Sequence, residues 1–365
     1  MAWTVLAEPG DGVAGALIAE LGAVAALRLA VDDDPARGPA PAGGERHRGA
    51  VAEGLARWRL RADARSVRDA VRAATQVRAR LIVPGDPEWP AQVDDLGAHA
   101  QLLLWVRGDV TALSSSPKVA IVGARAASAY GEHVAGEFSG ELAATGVTVV
   151  SGGAYGIDGA AHRAALAVEG RTIAFLAGGV DRPYPQGHRD LLQRISGTGA
   201  VVSEVPCGTA PTKWRFLARN RLIAALSDAT VVIEAGWRSG SLNTAGHAAS
   251  LGRPLGAVPG PVTSAASAGC HRLLREYDAR CVTTSGEVRE LWGADHVDET
   301  ESRAHPDETR VLDAMSPRAP LAPEELARRS GLSPARTSAV LGYLELGGAV
   351  RRSDRGWLRV PGGTQ

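Results

Sequence analysis

Residues 147–158 read Val-Thr-Val-Val-Ser-Gly-Gly-Ala-Tyr-Gly-Ile-Asp. A short β-branched run without charge stops at Ser151, glycines follow at 152, 153 and 156, and a new periodicity begins. Ile157, Ala160, Ala161, Ala164 and Val168 then share one face of a helix. The segment therefore predicts a strand buried on both sides, a tight turn and an amphipathic helix.

The same unit recurs along the chain. Val119–Val122, Thr172–Ala177, Ala200–Ser203, Thr230–Ile233 and Leu255–Val258 are further uncharged apolar runs, separated by helical patterns. Strand–helix alternation predicts a Rossmann-like, doubly wound, mostly parallel α/β sheet over residues 79–293. Ligands of such sheets bind at the carboxyl ends of the strands. On the N-terminal side, residues 1–78 predict a small helical domain. Its helical spans are Gly12–Leu29 and Ala50–Gln76, with a Pro/Gly-rich loop from Asp32 to Gly49. On the C-terminal side, the acidic stretch 294–307 predicts a linker. Residues 308–365 then read helix (Thr309–Met315), helix (Pro323–Arg329), helix (Ser333–Leu346) and hairpin (Ala349–Val360), the order of a winged helix. Ser333-Pro334 supplies an N-cap and a first-turn proline.

Composition narrows the function classes. The 365 residues carry 40 basic and 40 acidic side chains, so contact with nucleic acid must come from local patches. The three cysteines, Cys207, Cys270 and Cys281, lack metal-site spacing; no metal site or disulfide is expected. The first residues show no basic segment leading into an apolar run, and no stretch has the length of a membrane span. The expectation is a cytoplasmic protein without a membrane segment.

The residues that follow each strand carry the chemistry. Gly123-Ala124-Arg125 lacks the glycine fingerprint of a dinucleotide site and places an arginine where a phosphate would approach. Whether Arg125 meets a phosphate or caps a sheet edge stays open on this segment alone. Ser151, His162 and Asp158 do not form a nucleophile elbow, because the glycines follow the serine. Capping is the expected role of Asp158, and His162 is expected to be a satisfied helical histidine. Residues 206–227 hold Lys213, Arg215, Arg219 and Arg221 with no carboxylate, interleaved with Trp214 and Phe216. That pairing suits a strand of phosphates and exposed bases. Arg219 and Arg221 are two apart and point different ways on a helix; one is expected to tie down the fold and the other to face the ligand. Ser239-Gly240-Ser241 opens a helix and offers amides to an anion. Glu234 is read as structural, holding Arg219, Arg221 or the Ser239 loop.

Together these segments resemble the DprA (DNA-processing protein A, or Smf) family. The match lies in VAIVGAR (119–125), SGGAYGID (151–158), YP (184–185), SEVPCGTAP (203–211), FLARNRLIAALS (216–227), EAGWRSGSL (234–242), GRPLGAVPG (252–260) and Gly-Cys-His (269–271). The resemblance implies a cofactor-free homodimer that binds single-stranded DNA, protects incoming strands in natural transformation and loads RecA recombinase, without catalysis. It implies a DNA site at Gly123, Arg125, Gly152, Gly153, Lys213, Phe216, Asn220, Ser239, Gly240 and Ser241, to which the basic run adds Arg219. It also fits a SAM/HhH-like helical domain and a winged helix on the flanks. The chain departs from the family at Leu217, Asn243 and Gln186; the basic contact missing at Gln186 is expected to be weaker or supplied by His188 or Arg189. Two other function classes compete. One is a nucleotide-processing enzyme of the lysine-decarboxylase-like superfold, whose GTxxE signature is missing here. The other is a winged-helix DNA-binding regulator, whose recognition helix offers only Arg336, with Arg351, Arg352 and Arg355 on the wing.

Overall fold

A computed structural model of the chain describes residues 1–32, 45–294, 306–317 and 319–360. It contains two compact units, residues 1–295 and 296–365.

The first unit begins with α1 (Ala2–Leu6), α2 (Gly12–Leu21), α3 (Ala23–Val31), α4 (Glu45–Arg59) and α5 (Ala64–Gln76). Each of the two expected helical spans is split. Gly22, at φ 78°, ends α2, and Asp63 caps α5 by accepting from the N–H groups of Arg65 and Ser66. The last residues of the loop expected at 32–49 belong to α4, and 33–44 lie outside the described residues. Trp3 and Trp58 meet edge to face at 5.2 Å in this helical core. The helices share one unit with the sheet. Ala70 and Ala74 of α5 pack with Trp105, Leu176 and Leu191, and Glu8 pairs with Arg215.

The sheet has nine strands: β1 (Arg80–Ile82), β2 (Leu104–Gly108), β3 (Lys118–Val122), β4 (Thr148–Ser151), β5 (Thr172–Phe175), β6 (Ala200–Ser203), β7 (Ala229–Val232), β8 (Leu255–Ala257) and β9 (Arg280–Cys281). Their order is β1-β2-β6-β5-β4-β3-β7-β8-β9. Strands β3 to β9 run parallel; β1 and β2 are antiparallel additions beside β6. The six expected strands are all present, and β1, β2 and β9 join them. The helices are α6 (Ala129–Ala144), α7 (Ile157–Ala167), α8 (Arg189–Thr198), α9 (Lys213–Leu226), α10 (Ser241–Ser250), α11 (Ala268–Glu276) and α12 (Ser285–Glu290). Successive strand residues face opposite layers. Val119 and Ile121 pack with Phe138 of α6 and Ala161 of α7, while Ala120 and Val122 pack with Leu222 and Ile223 of α9. Burial on both faces explains why these strands read as unbroken apolar runs.

From β3 the chain steps outward through β4, β5 and β6. Helix α9 then returns it to the other side of β3, where β7, β8 and β9 follow. The strand order reverses between β3 and β7, which opens a crevice at their carboxyl ends.

The second unit comprises α13 (Pro306–Ala314), α14 (Pro323–Ser330), α15 (Pro334–Leu346), β10 (Val350–Ser353) and β11 (Gly356–Arg359). Ser333 caps α15, and Val311, Leu326, Leu341, Leu344 and Trp357 form the core. This is the expected winged helix. Of the linker expected at 294–307, residues 295–305 lie outside the described residues. Among the described residues no single helix is long and apolar enough to cross a membrane.

Candidate nucleic-acid interface

At the reversal point lies a cavity of about 830 Å³. Three segments supply most of its lining, Val122–Ala126 from the end of β3, residues of Pro211–Ile223 leading into and along α9, and residues of Gly236–Thr244 after β7; Ala154, Asp158 and Tyr184 complete it. Of the residues expected at the site, Gly123, Arg125, Lys213, Phe216, Arg219, Asn220, Ser239, Gly240 and Ser241 line it together.

Four cations line it, Arg219 and three others. Arg125, Lys213 and Arg238 make no ion pair among the described residues, whereas Arg215 and Arg221 of the same basic run are paired with Glu8 and Glu204. Lys213 opens α9 at the positive end of the helix, where a cation is locally unfavourable and an added anion relieves the strain. Backbone donors accompany the cations. The N–H groups of Arg125, Ala126, Arg238 and Gly240 make no hydrogen bond among the described residues. Free amides beside unpaired guanidiniums are the donor set that a phosphate requires. The half-buried Phe216 ring supplies the apolar element. Arg125 lies over it at 4.6 Å from the ring centroid, and Tyr184 packs at 5.6 Å.

The glycine turn after β4 is arranged differently from expectation. Gly152 and Gly153 are buried and do not line the cavity. A Cβ on Gly152 would lie 2.1 Å from Arg219 Nη1, and one on Gly156 would lie 2.3 Å from the carbonyl oxygen of Ala124. These glycines admit neighbours from the same chain, not a ligand. The amides of the turn are also used, because Gly152 N–H and Ala154 N–H donate to Asp158 at 3.1 and 3.3 Å.

Arg219 and Arg221 both tie down the fold, and Arg219 also lines the cavity. Arg219 donates from Nη1 to the carbonyls of Gly152 and Phe175, each at 2.6 Å, and forms the cavity floor. Burial lowers its pKa to about 10, with Asp158 pulling the other way, so it stays charged at neutral pH. The buried Asp158 carboxyl has a raised pKa, burial outweighing the attraction of Arg219. Arg221 forms a two-pronged pair with Glu204 and donates to the His99 carbonyl.

Other expected groups are also committed. Glu234 holds neither arginine; it accepts from the backbone N–H and hydroxyl of Ser128, the cap of α6. Ser151 donates to the Ile121 carbonyl. His162 is buried against Thr172, but its Nε2 has no partner. His188 is buried with Nδ1 on the Gly153 carbonyl, which removes it as a substitute for a basic contact at Gln186; Arg189 stays exposed. In the winged helix, Arg336 is paired with Asp307, while Arg351, Arg352 and Arg355 are exposed. Sequence reasoning missed Arg238 and Thr244. The signal for Arg238 was its place directly before the Ser239–Ser241 turn.

The family model for DNA recombination-mediator protein A matches residues 80–293, and that for the DprA winged helix domain matches 298–354. The chain belongs to the DprA family. It is 48% identical over 299 residues to a putative DNA processing protein DprA of Mycobacterium tuberculosis, covering 76% of both chains. It is 42% identical over 215 residues to protein Smf of Escherichia coli, covering 57% of this chain and 56% of that one. Among solved structures, DprA of Streptococcus pneumoniae aligns at a TM-score of 0.58 and 34% identity, over 67% of this chain and 82% of that one. DprA of Helicobacter pylori, described in a study of its single-stranded DNA binding mode, aligns at 0.52 and 31%, over 57% and 94%. Both DprA structures share the fold described above. Of the three departures from family sequence, Leu217 lines the cavity and Asn243 accepts from Asn220 Nδ2 at 3.2 Å. Gln186 is exposed.

Proposed function

We propose that this DprA-family chain binds single-stranded DNA in the crevice between β3 and β7, as a cytoplasmic homodimer that shields incoming strands and hands them to RecA recombinase. The observation that carries the reading is the set of unpaired cations, Arg125, Lys213 and Arg238, that lines one cavity with free amides and the Phe216 ring. Phosphates meet the charges and amides, bases meet the aromatic face, and no base edge is read. The single-stranded DNA binding reported for the Helicobacter pylori relative supports the choice of ligand. A binding role without catalysis fits the two carboxyl groups at the strand ends, since Glu234 is spent on Ser128 and Asp158 on the turn amides. No cofactor has a part in this reading.

Fluorescence anisotropy of labelled oligo-dT at two salt concentrations, with duplex competitor, tests it. Affinity should fall with salt. The Arg125→Ala, Lys213→Ala double variant should stay folded while its log–log salt slope shrinks by about 1.4, at roughly 0.7 for each phosphate no longer neutralised. A duplex that outcompetes the single strand, or a double variant that binds like wild type, would move the search to the wing arginines.

A further inference from the structure

The chain has eight tryptophans, and their burial divides sharply. Trp3, Trp58, Trp89, Trp105 and Trp357 are buried and Trp292 is partly buried. Trp214 and Trp237 are 63% and 56% exposed. Both exposed rings lie on segments that build the cavity, and neither lines it. Trp214 follows Lys213 in the first turn of α9; Trp237 precedes Arg238 in the loop after β7. Each is therefore a sequence neighbour of an unpaired cation. Trp237 is also oriented. Arg272 of α11 lies over its ring at 5.2 Å from the centroid and is anchored by Glu276 at 2.7 Å.

An indole left in water forgoes the stabilisation of burial, and of the eight tryptophans these two alone are exposed. Two of them on separate elements, each next in sequence to a cation that lines the one cavity, suit a single strand: a phosphate on the charge, a base on the ring. We infer that Trp214 and Trp237 are two base-stacking subsites outside the cavity, which carry single-stranded DNA onward from either lining segment. The inference rests on the proposed crevice reading and extends it. Stacking needs no hydrogen-bond complementarity, so these subsites accept any base. They also lengthen the footprint beyond what the cavity encloses.

The test titrates unlabelled oligo-dT into the full-length chain and follows tryptophan fluorescence, with anisotropy run in parallel. The variants are Trp214→Leu, Trp237→Leu, Trp214→Phe and Trp237→Phe. Wild type should be quenched on binding. Each leucine variant should lose part of the quench and bind about five- to a hundredfold more weakly, the range for one stacked base; each phenylalanine variant should recover most of the affinity. Leucine variants that bind as wild type with the quench intact would overturn the inference. So would leucine variants that sediment as smaller species with unchanged affinity per protomer, which would assign the rings to self-association. Failure of the crevice reading looks different: the Arg125→Ala, Lys213→Ala variant would bind like wild type, whatever the tryptophan variants do.

Discussion

At Gly152 a Cβ would press into the Arg219 guanidinium; at Gly240 nothing lies within 4 Å. Both glycines stand in short turns between a parallel strand and a helix, and both turns carry a serine beside the glycine. After β4 the turn is filled from within: Arg219 occupies the space, Asp158 takes the amides, and Arg219 binds the Gly152 carbonyl. After β7 the loop is left open, its hydroxyls paired with each other at 2.7 Å and the Gly240 amide free. A glycine therefore reports a backbone bare of side chain, and says nothing of whether its own chain fills the space. The sealed turn is a scaffold, and the other is an open surface.

The largest effect should come from removing the group that seals the first turn. Arg219→Leu leaves the Asp158 carboxyl buried without its cation and strands the carbonyls of Gly152 and Phe175. Leaving two buried carbonyls without their donor costs roughly 1–3 kcal/mol each. Urea denaturation should show this as a large drop in midpoint. A drop of under about 1 kcal/mol, below that range, would mean that the turn does not depend on Arg219.

The second effect is a pH dependence seated behind the sealed turn. Thr172 Oγ1 donates to the Val149 carbonyl, so the contact at 2.7 Å must be His162 Nδ1–H donating to Thr172. The proton for the charged form would have to go on Nε2, which is buried without a partner. Burial, reinforced by the charges of His188, Arg219 and Arg163, lowers the pKa to about 3 from 6.5. The unfolded chain takes this proton near pH 6.5 and the folded chain does not. The contribution to stability is therefore full above that pH and falls as pH drops, by about 1.36 kcal/mol per unit, or about 2.7 kcal/mol by pH 4.5. His162→Gln should flatten the slope between pH 6.5 and 4.5 even if it lowers stability throughout. An unchanged slope would place the acid sensitivity elsewhere.

How much of this could be read from the chain follows from the same contrast. The parallel strands were legible because burial on both faces writes an uncharged run, as at Val119–Val122. Strand β9 was not, having two exposed residues held only by β8. Nor were β1 and β2, where charges at Arg80 and Arg107 break the pattern of antiparallel additions. At the site, residue types were legible and orientations were not. Lys213, Arg215, Arg219 and Arg221 look alike in a basic run. What separates them is long-range pairing with Glu8, Glu204 and the Gly152 and Phe175 carbonyls, which sequence spacing does not encode. Arg238 escaped notice because its importance is the absence of such a partner.

The smallest change sharpens the comparison most: one methyl group added to each turn. In Gly152→Ala the new Cβ meets a guanidinium pinned by two hydrogen bonds, so relief requires moving Arg219 or the backbone. Overpacking of this kind costs about 1–3 kcal/mol, visible as a lower thermal midpoint. In Gly240→Ala the methyl group enters open space at φ −64°, which any residue adopts, so the midpoint should hold within about 0.5 kcal/mol. The cost should appear in binding instead, because under the proposed reading the methyl group stands where a phosphate would approach the Gly240 amide. Equal loss of stability in both variants would erase the distinction between scaffold and surface. A Gly240→Ala variant that keeps full affinity for oligo-dT would leave the loop open but move the strand to the Arg125 side of the crevice.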